Sequence, residues 1–352
     1  MGRKWISAMV CLNLAAWSAA GAQSGAPRGT LVVVNGKDGT VSLVDLGSRA
    51  ITATIPVGDV PREVALSPDG RWAVVTNYGG ARAAGATLSV IDVSSGTLER
   101  TVQLGVHRRP HGIAWLANGT VLVVSETDSA LVTLDASTWM VTGSMPSGPG
   151  APYLLAVDRD GARAFVTNVT ASMVTAVDVA GRRVLASASV PKSSDGVAVR
   201  PGSDEVWVTS PQSDMITVLG AADLKTRGLI RSGEYPVRVR FTPDGAQALA
   251  VFAKSSEVRL FDAGSRKEAG SIAMKVPAAA LHGGKEAEGY ESHTVPLGLE
   301  LSPDGGWAFV TLGGVDAVAV VSLRTREIAS LIFVGREPDG VAYSPLVRSP
   351  SE

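Results

Sequence analysis

Short apolar runs and turn-forming residues alternate along almost the whole chain. Between positions 62 and 77, REVALS alternates polar and apolar residues with period two. SPDG then sets Pro68 and Gly70 where a tight turn wants them, and RWAVVTN follows as an apolar second strand. ATLSVID at 86–92, a turn containing Gly96 and TLERTVQL add a third and a fourth strand. The unit recurs seven times from the anchors Pro61, Pro110, Pro152, Ser194, Pro236, Pro296 and Pro338, spaced by 49, 42, 42, 42, 60 and 42 residues. A period near 42 is that of a four-stranded propeller blade. The pattern therefore predicts an all-β, seven-bladed β-propeller with four antiparallel strands per blade.

The repeats are offset from the termini. The chain opens on a second strand, LVVVN at 31–35, and ends on a first strand, PDGVAYSP at 338–345. The C-terminal strand is thus expected to join the N-terminal three, which closes the ring and removes both sheet edges. One domain over 31–346 follows, with a linker at 23–30 and a tail at 347–352. A ring closed on itself predicts a monomer.

Composition supports this reading: 45% of residues are hydrophobic, 18% are charged, and there are 39 Gly and 19 Pro. Arg3 and Lys4, an apolar stretch from Ile6 to Ala20 and the small residues Ala20-Gly21-Ala22 read as a signal peptide over 1–22. The expectation is a periplasmic or secreted protein after cleavage near Ala22. Cys11, the only cysteine, would leave with that segment, so no disulfide is expected. The mature chain carries 30 basic against 33 acidic residues, which argues against nucleic acid as a partner. No later segment has the length and apolarity of a membrane span.

AVVTN, AFVTN, AFVTL and the recurring SPDG resemble the YVTN repeat family of seven-bladed β-propellers, which includes the exported YncE-like proteins. The resemblance covers nearly all of the mature chain and implies the fold. It leaves activity open, because relatives include plain binding proteins and propellers attached to redox enzymes.

Strand parity locates the irregular parts independently. In a four-stranded antiparallel blade, second-to-third loops and blade connections share one end. Both departures from the 42-residue period fall there: YGGARAAG at 78–85, and a connection enlarged over roughly 275–294. The histidines follow, His107 and His111 in one connection and His282 and His293 in the enlarged one. Tyr78, Tyr153, Tyr235, Tyr290, Arg62, Arg82, Arg108 and Arg109 share that end. Glu291, beside His293, and Asp195 and Asp339, beside their anchors, complete the rim. Loops on a rigid scaffold carry function more often than its core does.

The positions nearest the axis hold a second anomaly. Four residues after each anchor stands alanine, except for Arg240 and Glu300, which adjoin and are read as an internal ion pair. Two residues after the anchors, Glu63 and Arg238 interrupt a series of glycines and one leucine. No nucleophile elbow, phosphate loop or paired-histidine helix is present, so no catalytic residue, metal or cofactor is assigned. The leading expectation is a binding or scaffolding module that meets a protein or a small anionic ligand through the connection face and channel mouth. The alternatives are a lactonase- or hydrolase-type enzyme, with His111 or His293 as base and Arg240 or Arg109 at an oxyanion, and an accessory subunit of a redox enzyme.

Overall fold

The computed structural model describes residues 25–276 and 294–348. Twenty-eight strands form seven four-stranded antiparallel sheets, and the only helix among the described residues is a 3-10 turn at Pro211–Ser213. Blade 1 is closed as expected. Strand β28 (Pro338–Ser344) lies beside β1 (Thr30–Asn35), with Val32 opposite Ala342. Blades 2 to 7 each take four consecutive strands. Their inner strands are β4 (Pro61–Leu66), β8 (Pro110–Trp115), β12 (Pro152–Val157), β16 (Val197–Val199), β20 (Pro236–Phe241) and β24 (Pro296–Leu301). Each inner strand contacts that of the next blade, and β28 contacts both β24 and β4, so the ring is complete.

The second strands carry near-continuous apolar runs because both faces are buried. In β1, Val32 and Val34 enter a cluster shared with blade 2, whereas Leu31 and Val33 enter one shared with blade 7. Seven such clusters occur among the described residues, one between each pair of adjacent blades. Stability is thereby distributed around the ring, as burial against a neighbour is what each blade needs.

The repeat residues have identifiable work. Inner strands bulge just after the anchor, as between Pro61 and Val64 or between Pro296 and Leu299. The amide left unpaired there is taken up by the threonine of the second strand. Glu63, Leu154, Gly196 and Gly298 donate their backbone N–H to the Oγ1 of Thr76, Thr167, Thr209 and Thr311 at 3.0, 3.1, 2.8 and 2.6 Å. The asparagine that follows pins the third strand: Asn77 Nδ2 donates to Thr87 and Ser89, and its Oδ1 accepts from Gly58 N–H at 3.1 Å. A buried amide without a partner costs about 1–3 kcal/mol, which accounts for these residue types.

A further regularity surrounds the axis. The residue before every anchor is left-handed: Val60, Arg109, Ala151, Ser193, Tyr235, Val295 and Glu337 have φ between 45° and 69°. For the β-branched Val60 and Val295 this is a strained state. In six blades the carbonyl of that residue accepts a hydrogen bond from the end of the second strand or just beyond it, as from Tyr78 to Val60 at 3.2 Å. The strain turns the chain inward, and the bulge that follows aims the next two side chains at the channel mouth.

Two expectations about local structure are corrected. The 78–85 insertion extends a hairpin rather than forming a plain loop, since β5 (Trp72–Gly79) pairs with β6 (Ala84–Asp92) as far as Gly79 opposite Ala84. His111 belongs to inner strand β8 and not to the connection before it.

Candidate functional site

The mouth at the blade-connection end is built from residues one and two places after the anchors. Arg62 and Glu63 come from β4, His111 from β8, Tyr153 from β12, Asp195 from just before β16, Arg238 from β20 and Asp339 from β28. Small neighbours let the inner strands close in. A Cβ on Gly196 would stand 2.6 Å from the Val237 carbonyl, and one on Gly340 would stand 2.5 Å from that of Arg62. These glycines sit beside Arg238 and Glu63, so the two large side chains rise where adjacent blades carry none.

Arg238 is the hub. From blade 6 it donates through Nη1 to Asp195 of blade 5 at 3.2 Å and through Nη2 to Glu63 of blade 2, across the ring. Asp339 of blade 1 lies 3.6 Å from Nη2 and accepts a second guanidinium, Arg62 Nη1, at 3.2 Å. Arg238 is 14% exposed, Glu63 16% and Asp195 20%. Burial pushes the Glu63 carboxyl up to about 7 against the pull of Arg238, with Asp339 and Asp195 adding to the rise. Burial likewise raises Asp195 to about 6, again opposed by Arg238 and helped by Asp339. Burial disfavours the charge on Arg238, but the three carboxylates outweigh it and hold the guanidinium more firmly protonated than usual.

An aromatic group adjoins the hub. The His111 ring lies 3.8 Å from the Tyr153 ring, tilted by 34°, and meets the Tyr78 ring edge-on at 5.5 Å. His111 is 2% exposed, and its Nδ1 is buried without a hydrogen-bond partner. Burial, with Arg238 and Arg62 nearby, holds its pKa well below the ordinary value, so the imidazole is neutral. Tyr153 is pushed up by burial and by Asp195 and Asp339. Tyr78 donates its hydroxyl to Glu126 at 2.6 Å, with the Arg109 guanidinium 4.8 Å and that of Arg62 5.9 Å from its ring centre.

Other predicted residues lie apart from this group. Arg240 and Glu300 do approach across neighbouring blades, but only to 3.8 Å. Their side chains are 47% and 28% exposed, which makes a loose, wet pair in place of the internal one expected. His107 Nδ1 is 2.6 Å from Asp128, and Arg108 turns back onto the Gly105 carbonyl. Tyr235 sits beneath Lys254. Arg82 lies in the extended hairpin turn, and His282, Tyr290, Glu291 and His293 lie outside the described residues. Glu126 and Asp128 were not singled out by sequence. Their signal is that VVSETD closes the second strand of blade 3 where blades 2 and 4 read VTN.

Two open concavities occupy the opposite, turn end. One is lined by Trp307, Tyr343 and Pro303, the other by Asp158, Arg159 and Asp204. Two of the arginines bordering the second are committed to the scaffold: Arg163 donates to the Ala221 carbonyl, and Arg200 to those of Gly245 and Ala263. The mouth therefore stands out by chemistry and not by size. Among the described residues, no three His, Cys, Asp or Glu side chains are placed to hold a metal ion, and no helix is long and apolar enough to cross a membrane.

Seven blades, a ring closed by the last strand, and a second strand whose threonine and asparagine tie inner to outer strands define the class, a seven-bladed β-propeller. Within that class the chain is similar to YncE, a YVTN-repeat propeller protein. It is 26% identical over 177 residues to YncE of Salmonella typhi and to YncE of Salmonella typhimurium strain LT2, a match that spans 48% of this chain and only 48% of each relative. A profile for the Cytochrome D1 heme domain matches residues 16–103. Among solved structures, Kuenenia stuttgartiensis hydrazine synthase is similar, with a TM-score of 0.66 and 14% identity over 81% of this chain and 90% of that one. Dihydro-heme d1 dehydrogenase NirN has a TM-score of 0.64 and 15% identity over 90% of this chain and 75% of its own. At these identities the structural likeness concerns the fold alone.

Proposed function

We propose that this propeller is a binding module that engages a small anionic ligand or the acidic part of a protein partner through the mouth at the blade-connection end. The observation that carries the reading is the convergence of Arg62, His111, Tyr153, Asp195, Arg238 and Asp339 from six different blades on one opening, with a buried imidazole nitrogen left without a partner. Polar groups are not buried in this way for packing, since each unpaired one costs stability. Export by way of the N-terminal segment belongs to the same proposal and places the mouth outside the cytoplasm. The test is a thermal-shift screen of small anions on the purified protein, repeated with Arg62→Gln, Tyr153→Phe and the turn-end control Asp160→Asn. Binding lost in the first two and kept in the third supports the mouth; the reverse pattern rejects it.

A second reading, an accessory subunit of a redox enzyme, draws on the profile match and the two structural neighbours. The described residues do not fit a haem at the mouth. His111, the one imidazole of the inner strands there, is 2% exposed and packed against Tyr153, so it presents no nitrogen to an iron above the opening. In this reading the propeller docks a redox partner through its rim. The hydrolase alternative with His111 as base loses support, because a general base needs an orienting partner and His111 Nδ1 has none, while His293, the other base considered, lies outside the described residues.

A further inference from the structure

The binding reading can be taken further, to the class of ligand and its control, on the geometry of Arg238. A guanidinium offers Nη1 and Nη2 as a flat fork that one carboxylate can fill with two parallel hydrogen bonds. Here that fork is divided between oxygens of two different carboxylates, Asp195 on Nη1 and Glu63 on Nη2, from blades 5 and 2. The side chains involved keep 14–20% exposure at the channel mouth, so the fork is covered but not sealed.

We propose that Arg238 anchors a carboxylate-binding site held closed by the protein's own Glu63 and Asp195, and opened to an external carboxylate when those two side chains take up protons. The inference rests on the mouth being the binding surface. Charge counting supports it. Glu63, Asp195 and Asp339 face Arg62 and Arg238, so with every group ionised the network carries one uncompensated negative charge. Neutral Glu63 and Asp195 leave two guanidiniums against Asp339 and one uncompensated positive charge. The groups facing Glu63 are Arg238 and Arg240 of β20, Asp339 of β28 and Asp195. Those facing Asp195 are Arg238 and Asp339, with Tyr153 of β12 alongside. Arg240 adds a positive charge near Glu63, but Glu300, 3.8 Å from it, balances that charge, so the count is unchanged. Burial lifts both carboxyls into the range from about 6 to about 7, whereas an unperturbed ligand carboxyl titrates near 4 and stays ionised while they close or open the site. Tyr153, packed on the buried His111 ring, lies beside the opening to meet the rest of the ligand.

The probe is succinate, titrated calorimetrically into the full chain at about pH 5.5 and about pH 8 at fixed ionic strength, with at least a roughly tenfold tighter affinity expected at the lower pH. The decisive variant is Glu63→Gln with Asp195→Asn, which removes charge at nearly constant volume. It should bind succinate at the higher pH within about threefold of the wild-type affinity at the lower one. Repeating the titration in buffers of different ionisation enthalpy should show net proton uptake by the wild type in excess of that by the variant, which reports only the ligand's own second carboxyl. Equal wild-type affinities at the two pH values, a variant that keeps the pH dependence, or no saturable succinate binding by either protein would each overturn the proposal. If succinate fails while another anion is lost in Arg62→Gln and Tyr153→Phe, this inference falls and the binding reading stands.

Discussion

Carboxylates at the two ends of the propeller have been treated in opposite ways. At the turn end, Asp69, Asp244 and Asp304 of the SPDG and TPDG turns each accept a hydrogen bond from a hydroxyl, Ser67, Thr242 or Ser302, and from a backbone amide two residues on. Those bonds hold their pKa values below the ordinary range. At the mouth, Glu63 and Asp195 share one guanidinium under burial and are pushed upward. The first arrangement depends on local sequence and repeats; the second depends on residues up to 175 positions apart and occurs once. Repeated acids shape turns, and the mouth acids store a charge imbalance that a ligand or a proton can resolve.

The largest effect expected is that of Arg238→Gln, which leaves three part-buried carboxylates short of their shared partner. It should lower stability by about 3–5 kcal/mol at neutral pH in chemical denaturation. Part of that loss should return in acid, where Glu63 and Asp195 become neutral; a loss independent of pH would assign it to packing instead.

Next comes the pH dependence of the wild type. Glu63 has a folded pKa above its unfolded one, so the native state binds more protons between the two values. The stability this confers is full below about pH 4.5 and is lost as pH rises through about 7, with a total on the order of 3 kcal/mol. The turn acids act with the opposite sign and at lower pH, since their stabilisation vanishes as they protonate. Maximum stability near pH 5 is expected from denaturation curves, and Glu63→Gln should flatten the descent toward pH 8.

At the turn end, Asp304→Asn removes the charge but keeps the shape of the turn and should cost about 1 kcal/mol, with no shift in the pH of maximum stability. Smallest is Glu300→Gln. The pair with Arg240 is 3.8 Å long and half-exposed, so a change within about 0.5 kcal/mol is expected by thermal unfolding.

The fold was legible because its causes are local. Turn formers, period-two alternation and apolar second strands recur every 42 residues, and they set strand number, parity and closure. Parity also placed Arg62, Tyr78, His111 and Tyr153 at one end. Which side chains meet was another matter. The sequence read the four-after-anchor Arg240 and Glu300 as the internal ion pair, whereas the tight network formed one and two positions after the anchors, around the Glu63 and Arg238 that interrupt the glycine series. There the inner-strand bulge aims side chains at the mouth, and Gly196 and Gly340 make room for Arg238 and Glu63. Glu126 and Asp128 escaped notice because they follow a second strand that departs from the repeat, and departures at strand ends look like ordinary loops until the partners Tyr78 and His107 are seen beside them.

The contrast between the two ends is tested most directly by titrating 13C-labelled Asp and Glu carboxyls by NMR, with Glu63→Gln and Asp195→Asn used for assignment. One glutamate midpoint close to 7 that disappears in the first variant, one aspartate midpoint close to 6 that disappears in the second, and turn aspartates below the ordinary range are the predicted result. Mouth carboxyls that titrate alongside the surface ones would contradict it.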